Sequence, residues 1–508
     1  MDVRLASWMP LLVIFVHLAS YSVVNSKAGK PNIVFVLTDD QDVVLFGQQP
    51  MAKTHKLLTE QGMLFENMFV SSPLCCPSRA SILTGQFVHN HNTQNNSVNG
   101  GCSGQTWQKQ AEPKAFNTYL KAEGYKTFFA GKYLNQYGLE KSGGVKHVPP
   151  GWDEWHGLVG NSVYYNYSLS VNGKEEKHGD NYTEDYLPDL IHRRGLDFLS
   201  RQSDRRPFFM MLSTPSCHKP FTPAPQYEKS FQDEQAPRTA SFDTKGKDKH
   251  WLVGAALNPM PVDVIKIIDE NYRLRHRTLL SVDDMVEGVY NKLKDMDLLD
   301  NTYIFFSSDN GFHLGQFSLP EDKRQPYEFD IRVPLIVRGP GIKPNTTSIE
   351  SVTNVDLAPT FVDLSGSKAE TAKFDGMSFA GILRGQAHAF RSTVLVEYYG
   401  EEEVKEVQCP QLSNQHLKGC TKEFHCVCVD SQNNTYGCIR YENAKQSFKF
   451  CEFQDASNTI EVYDLNGDPH ELNNIAKSAP PELLSKLTDK LAKLSLCAGT
   501  GCHDKTEL

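Results

Sequence analysis

The chain has 508 residues, 39% of them apolar, with a formal net charge of −9 and 17 histidines. That apolar share supports a large buried core and excludes disorder as a description of the whole, and the length suggests two or three domains. Net negative charge argues against a dedicated nucleic-acid binder. Near pH 5 the histidines, which titrate at about 6.5 when free, would bring the balance toward or past zero, as suits a protein meeting polyanions in an acidic compartment.

Residues 1–26 read as a secretory signal: Arg4 precedes an apolar run from Met9 to Val16, and Val24-Asn25-Ser26 offers a cut before Lys27. The run is too short to span a bilayer and no later segment reaches that length, so no membrane anchor is expected. Asn32 to Leu37 is a continuous apolar run and reads as a buried strand. Helical pieces follow over 53–62, 78–84 and 115–123, with strands at 126–130 and 208–212. Segment 214–262 is rich in Pro, Lys, Asp and Gln and is expected to run over the surface beside a substrate cleft. An amphipathic helix over 278–299 leads into a strand at 303–306, and 333–337 forms another. Apolar strands alternating with helices predict an α/β sheet covered on both faces, filling a catalytic domain over 27–385.

Past Gly385 the texture changes. Strands are expected at 394–398 and 460–463 and a helix over 481–494, in a smaller α+β subdomain spanning 386–508. Eight of the twelve cysteines lie between Cys409 and Cys502, which predicts disulfides there without fixing their pairing. The acceptors Asn95, Asn166, Asn181, Asn345 and Asn433 all sit in Asn-x-Ser/Thr triplets and fit glycosylation along a secretory route.

Two acidic clusters directly follow apolar strands: Asp39 and Asp40 after the first, Asp309 and Asn310 after the strand ending at Ser308. Strand carboxyl ends are where α/β sheets bind ligands. Three carboxylates and an amide, with no His or Cys among them, make a hard oxygen cage that favours Ca²⁺, then Mg²⁺, over Zn²⁺. Either pair alone would equally serve as a helix cap or an Asx-turn. The run Cys75-Cys76-Pro77-Ser78-Arg79 places a cysteine just before a helix, with Pro77 suited to the first helical position and Gly85 to the exit. Such an N-terminus attracts a tetrahedral oxyanion, and the Arg79 fork matches its oxygens. A generic Cys-x-Pro would more often mark a disulfide beside a capped helix.

The string from Cys75 to Gly85 resembles the sulfatase signature C-x-P-S-R-x-x-x-L-T-G at every fixed position. The likeness continues through Gly131-Lys132-Tyr133-Leu134-Asn135, Ser308-Asp309-Asn310-Gly311 and Asp322-Lys323-Arg324-Gln325. It is strongest toward the lysosomal branch that acts on N-acetylglucosamine 6-sulfate. The resemblance implies an alkaline-phosphatase-like sulfatase fold with a large mixed sheet. It implies that a formylglycine-generating enzyme converts Cys75 to Cα-formylglycine. It also implies one Ca²⁺ held by Asp39, Asp40, Asp309 and Asn310 and touching residue 75. One hydroxyl of the hydrated formylglycine would attack sulfur and the other would expel sulfate. Arg79 would support residue 75, Lys132 and Lys323 would bind sulfate, and Lys323 and His218 would stand near the leaving oxygen. His313, His89 and Asn135 are expected to face substrate. If Cys75 is kept for oxidation, the cysteine count leaves a second unpaired thiol, with Cys76 and Cys217 as candidates.

One departure is visible. Many sulfatases carry a histidine two residues after the lysine matching Lys132, and this chain has Leu134. Asn135 can orient a hydroxyl but not take its proton, so His89, His91 and His313 are the candidate bases. The implied activity is exo-acting removal of the 6-O-sulfate from N-acetylglucosamine units of heparan sulfate and keratan sulfate. The implied setting is the lysosome, reached by secretion and also open to export, and a homodimer is allowed. One competing reading is an extracellular heparan endosulfatase, whose long basic insertion has no counterpart here. Another is a glycan-binding protein on a sulfatase scaffold, which the intact signature and both acidic clusters argue against.

Overall fold

A computed structural model describes residues 29–43, 49–368, 373–386, 390–402, 409, 412 and 416–508. The expected signal segment, 1–26, lies outside them. The main sheet has ten strands: β1 (Asn32–Thr38), β2 (Met63–Phe65), β3 (Lys126–Gly131), β4 (Glu154–Leu158), β5 (Ser168–Val171), β6 (Lys174–Lys177), β7 (Phe208–Ser213), β8 (Thr302–Ser308), β9 (Leu335–Arg338) and β10 (Thr346–Ser348). Their order across the sheet is β10-β2-β9-β8-β1-β7-β3-β4-β5-β6. The middle block β8-β1-β7-β3-β4 is parallel, and antiparallel pairs flank it on both sides.

Strand β1 shows why the centre forms. All seven residues are buried. Ile33, Phe35 and Leu37 enter one core with Phe116, Phe209 and Phe361, while Val34 and Val36 enter the opposite core with Ile191, Leu279 and Met285. An uninterrupted apolar run is what a strand covered on both faces requires. Helices α1 (Cys75–Thr84) and α4 (Leu357–Leu364) lie on the first face, and α2 (Leu187–Ser200) and α3 (Val262–Asp295) on the second.

The parallel register decides where the chemistry sits. Thr38 pairs with Ser308, Leu37 with Ser213, and Gly131 with Ser213. Strands β1, β3, β7 and β8 therefore end level. The residues that follow, Asp39, Lys132, Thr214 and Asp309, emerge at one sheet edge.

A second sheet, β11 (Thr393–Tyr398), β12 (Tyr436–Glu442), β13 (Ser447–Phe453) and β14 (Ile460–Asp464), is antiparallel throughout. Helix α5 (Pro481–Leu494) packs Leu487, Leu491 and Leu494 against its Leu395, Ile439, Phe450 and Val462. Five disulfides are present: Cys76–Cys102, Cys409–Cys426, Cys420–Cys428, Cys438–Cys451 and Cys497–Cys502. Cys75 and Cys217 are free and buried. The second unpaired thiol is thus Cys217, and Cys76 drops out because it is bridged to Cys102.

The sequence reading missed strands β2, β4 to β6, β10, β12 and β13, and it started α3 sixteen residues late. Strand β6 is Lys-Glu-Glu-Lys with no apolar pattern, and the first turns of α3 carry so many charges that their apolar stripe is diluted. Among the acceptor asparagines, Asn166, Asn181, Asn345 and Asn433 are exposed and Asn95 is half-buried. No helix among the described residues is long and apolar enough to cross a membrane.

Candidate active site

Helix α1 begins two residues earlier than its proline suggested. Leu74, in an extended conformation, caps it and Cys75 is its first residue. Pro77 therefore stands third, where its missing N–H still falls among the unpaired donors of a first turn. Gly85 ends the helix at φ +66°, and a Cβ there would come within 2.6 Å of the Phe374 ring. All ten helix residues are buried. Cys75 is consequently fixed at the floor of the site, with Sγ 3.8 Å from Asp39 Oδ1 and 3.9 Å from Asp40 Oδ1. Burial pushes its thiol up to about 12, so the unmodified side chain is a poor nucleophile.

The acidic residues converge as their positions after β1 and β8 require. Oxygens of Asp39, Asp40 and Asp309 all lie within 4.8 Å of one another. Asp40 takes a left-handed backbone, φ 62°, and its N–H donates to Asp309 Oδ1 at 3.0 Å. Asn310 Nδ2 donates to Asp40 Oδ1 at 2.8 Å, while its own Oδ1 is buried with no partner. An orphaned amide oxygen beside three converging carboxylates fits a divalent cation with oxygen ligands.

Three buried cations face these carboxylates. Lys132 Nζ donates to Asp39 Oδ2 at 2.7 Å and Lys323 Nζ to Asp40 Oδ2 at 2.8 Å. Arg79 Nε donates to Asp309 Oδ2 at 2.7 Å, and its Nη1 donates to the Lys132 carbonyl and to Ser213 Oγ, both at 2.8 Å. Arg79 Nη2 has no hydrogen-bond partner and stands 3.9 Å from Asp39 Oδ2. Burial alone would raise Asp39 and Asp40. Lys132, His218 and Arg79 overcome it at Asp39, and Lys323 and His218 at Asp40, so both stay below the usual carboxylate range. Asp309 goes the other way, to about 6, because burial and the Asp39 charge outweigh Arg79.

His218 joins this group, with Nε2 3.9 Å from Asp40 Oδ2. Its Nδ1 lies 2.5 Å from the Lys219 carbonyl, which can only accept, so Nδ1 carries a proton and, in the neutral ring, Nε2 holds the lone pair. Burial holds the ring below its ordinary value despite both aspartates. Between His218 and Lys323 the site opens into a cleft of about 240 Å³.

The other expected residues are placed differently. His89 binds Glu397 through Nδ1 at 2.8 Å and the Cys497 carbonyl through Nε2 at 2.8 Å, so both ring nitrogens join the main domain to the C-terminal region and neither is left for a ligand. His91 is buried; its Nδ1 accepts from the Thr93 N–H and its Nε2 meets Ser81 Oγ at 3.0 Å, which leaves no lone pair for a base. His313 is 1% exposed, with Nδ1 3.0 Å from Asp330 and Nε2 unpartnered. It backs the segment before Lys323, pairing with Asp322, and is absent from the cleft lining. Asn135 donates to Asn161 Oδ1 at 3.0 Å and keeps a buried, unpartnered Oδ1.

Several contributors were given no role by the sequence reading, although Ser78 stands at a fixed position of the signature. Ser162 donates to Asp39 Oδ2, and Ser78 to the Asp309 carbonyl. Asn354 Nδ2 donates to Ser78 Oγ at 2.8 Å. Arg275, from α3, donates to the Asp40 carbonyl at 2.8 Å and to Asp42 at 3.0 Å. A lone serine such as Ser162 and a distant arginine carry no spacing signal. The arginine could have been sought in the charged half of α3.

The family description "Sulfatase" matches residues 31–367, about two-thirds of the chain. The chain belongs to the sulfatase family. The sulfatases it resembles include the human N-acetylglucosamine-6-sulfatase, 50% identical over 98% of this chain and 91% of that protein. The Drosophila melanogaster extracellular sulfatase SULF-1 homologue is 42% identical over 75% of this chain but only 34% of its own length. A second description, "N-sulphoglucosamine sulphohydrolase, C-terminal", matches residues 315–436. Among solved structures, a protein in complex with its substrate D-glucosamine-2-N,6-O-disulfate superposes with a TM-score of 0.72, at 24% identity, covering 91% of this chain and 97% of that one. That likeness confirms the expected α/β sulfatase fold. Sulfatase membership makes the chain a sulfuric ester hydrolase and implies a formylglycine at the signature cysteine and a divalent metal.

Proposed function

We propose that this sulfatase hydrolyses the 6-O-sulfate ester of non-reducing terminal N-acetylglucosamine units in heparan sulfate and keratan sulfate, within lysosomal glycosaminoglycan degradation. The observation that carries the substrate is the 50% identity to the human N-acetylglucosamine-6-sulfatase across nearly the full length of both chains. The endosulfatase reading is weaker, because the likeness to the extracellular homologue covers a third of that protein. The catalytic domain is taken as 27–385 and the cysteine-rich subdomain as 386–508.

Asp39, Asp40, Asp309 and Asn310 would hold the ion, and we assign Ca²⁺ from the all-oxygen donor set. The ion supplies positive charge against the sulfuryl oxygens. Formylglycine at position 75 supplies, as its hydrate, a hydroxyl nucleophile that a thiol cannot replace. The chain's own residues do the rest. Lys132 and Lys323 are ammonium groups fixed by Asp39 and Asp40, ready to neutralise ester oxygens without rearranging. Arg79 braces Asp309 and the end of β3 together, which fixes the spacing between metal ligands and Lys132. His218 Nε2 presents a lone pair at the cleft side and Lys323 a proton, so this pair is suited to handle the proton of the departing sugar oxygen.

The test is a heparan oligosaccharide carrying 6-sulfates on both terminal and internal glucosamines, read by mass spectrometry. Loss of the terminal sulfate alone, best at acidic pH, is expected. Loss of internal sulfates with the terminal one retained would overturn the exo reading. In active protein the peptide containing Cys75 should be about 18 Da lighter than the thiol form, whereas ordinary cysteine oxidation adds mass.

A further inference from the structure

The cleft has two unlike sides. One is polar and comes from the catalytic domain, with Lys323, Lys219 and Glu321. Lys219 Nζ pairs with Glu321 Oε1 at 2.7 Å, and Asn271 Nδ2 donates to the other Glu321 oxygen at 2.5 Å. The other side comes from the C-terminal region, with Thr421, Phe424 and Val429; Phe312 also lines the cleft, and Lys219 Nζ stands 5.8 Å from the Phe424 ring centroid.

The second wall is held rigidly. Leu417–Lys418 pairs antiparallel with Asp430–Ser431 at its base, and the Cys420–Cys428 disulfide closes it one step further along. Cys426 is tied back to Cys409. At the tip, His425 Nε2 lies 2.8 Å from Asp263 Oδ2 at the start of α3. Gly419 has φ +65°, and a Cβ there would meet Val429 Cγ2 at 2.4 Å, so the two sides of the loop close only with glycine at this position. Within this fixed wall, Thr421 Oγ1 is buried and has no hydrogen-bond partner. A buried hydroxyl left unmatched costs free energy, and Thr421 is among the residues that line the cleft holding Lys323 and His218.

We propose that this cystine-bound loop, residues 416–431, is the sugar-recognition wall of the active site, with Thr421 Oγ1 bonding a polar group of the bound pyranose. The proposal rests on the sulfated-sugar reading above. A pyranose has apolar C–H faces and a hydroxyl edge. A cleft with Phe424 and Val429 on one side and Lys219 and Glu321 on the other matches both, and a few oriented polar groups suffice to fix a ligand in such a site. The wall is supplied by the C-terminal region and not by the residues around Cys75, so it acts on binding rather than on the sulfur chemistry. Thr421 is thereby a specificity residue.

The experiment uses the full-length, matured enzyme and its Thr421→Val and Thr421→Ser variants. The two substrates are N-acetylglucosamine 6-sulfate and 4-nitrophenyl sulfate, which has no sugar. Thr421→Val should raise KM for the sugar sulfate about tenfold, the loss of one hydrogen bond, with kcat within about twofold. Thr421→Ser, which keeps the hydroxyl, should stay near the starting enzyme, and all three proteins should treat the aryl sulfate alike. Equal losses on both substrates would show a merely structural threonine and overturn the proposal, as would an unchanged KM for the sugar sulfate. If the unsubstituted enzyme ignores N-acetylglucosamine 6-sulfate but cleaves galactose 6-sulfate, the functional reading fails, and the same comparison on that sugar decides the wall. Turnover of the aryl sulfate with no sulfated sugar accepted would sink both.

Discussion

Arg79 is the side chain on which most of the site leans. Its guanidinium reaches Asp309, the Lys132 carbonyl and Ser213 at once, while 2% exposed. A lysine carries the same charge but no planar fork, and cannot span three acceptors. Arg79→Lys should therefore cost roughly 3 kcal/mol of stability, because buried acceptors lose their partner, and turnover should fall at least about a hundredfold. Chemical denaturation and steady-state kinetics test this; unchanged turnover would remove Arg79 from the machinery. Asn310 offers a separate check on the metal. Ca²⁺ should raise the melting temperature of chelator-treated protein, since it binds only the folded acidic cluster. Asn310→Ala should weaken that gain, and equal protection by Zn²⁺ would contradict the oxygen cage. At this scale the sequence displayed what had a pattern: a signature around Cys75 and acidic pairs after strands. It did not display Ser162 or Arg275, whose roles exist only through folding, and it promoted His89, which the fold spends on joining the main domain to the C-terminal region.

The segment Asp322-Lys323-Arg324 shows how an element sets a residue. Arg324, directly after Lys323, has φ 94°, an uncommon backbone for a residue with a side chain. Arg324 is held by Glu401 at 2.6 Å, and its carbonyl accepts from Tyr436 Oη at 3.0 Å. Behind it, Asp430 accepts from Tyr398 Oη at 2.6 Å and the Glu401 N–H at 2.8 Å, and burial pushes its carboxyl up to about 6 despite Arg324. A carboxyl raised above its unfolded value of about 3.8 contributes stability that is full below that value and lost as pH rises through the folded one. Asp430 should therefore stabilise the protein by about 1 kcal/mol more at pH 5 than at pH 7. His91 works in the opposite direction, since burial lowers it to about 3 and acid then favours the unfolded chain. The informative quantity is thus a difference: unfolding free energies at pH 5 and 7 for the unsubstituted protein and Asp430→Asn. The variant should lose the acid-side advantage whatever its baseline, and an identical pH slope would refute the assignment. This network could not be read in advance, because Glu401, Asp430 and Tyr436 look like ordinary loop and strand residues until the C-terminal sheet brings them behind Lys323.

At the scale of the molecule, the parallel centre was legible because strands such as β1 are apolar at every position. The sheet margins were not. Their strands alternate or are wholly polar, and they are recruited by neighbours that already exist. The C-terminal sheet was only half seen for the same reason: β12 and β13 mix charge with apolar residues, and the charges point into a buried seam. There Glu328, from the main domain, pairs with Lys449 at 2.9 Å and Arg440 at 3.2 Å, while its N–H donates to Glu471 at 2.9 Å. Burial would raise Glu328, but Lys449 and Arg440 overcome it and lower it to about 2. The pairing is therefore intact at any acidity an acid compartment offers, and is lost only as pH falls through about 2. Glu328→Gln would take one of two carboxylates from each cation, since Lys449 keeps Glu471 at 2.6 Å and Arg440 keeps Glu442, at a cost of roughly 2 kcal/mol and a fall of roughly 2 °C in melting temperature. Because the same C-terminal region carries Arg324's partners and the proposed sugar wall, the variant should also raise KM before it lowers kcat. Scanning calorimetry with parallel kinetics tests this. A variant that melts like the starting protein and binds substrate equally well would show that the two sheets are joined by their apolar contacts alone.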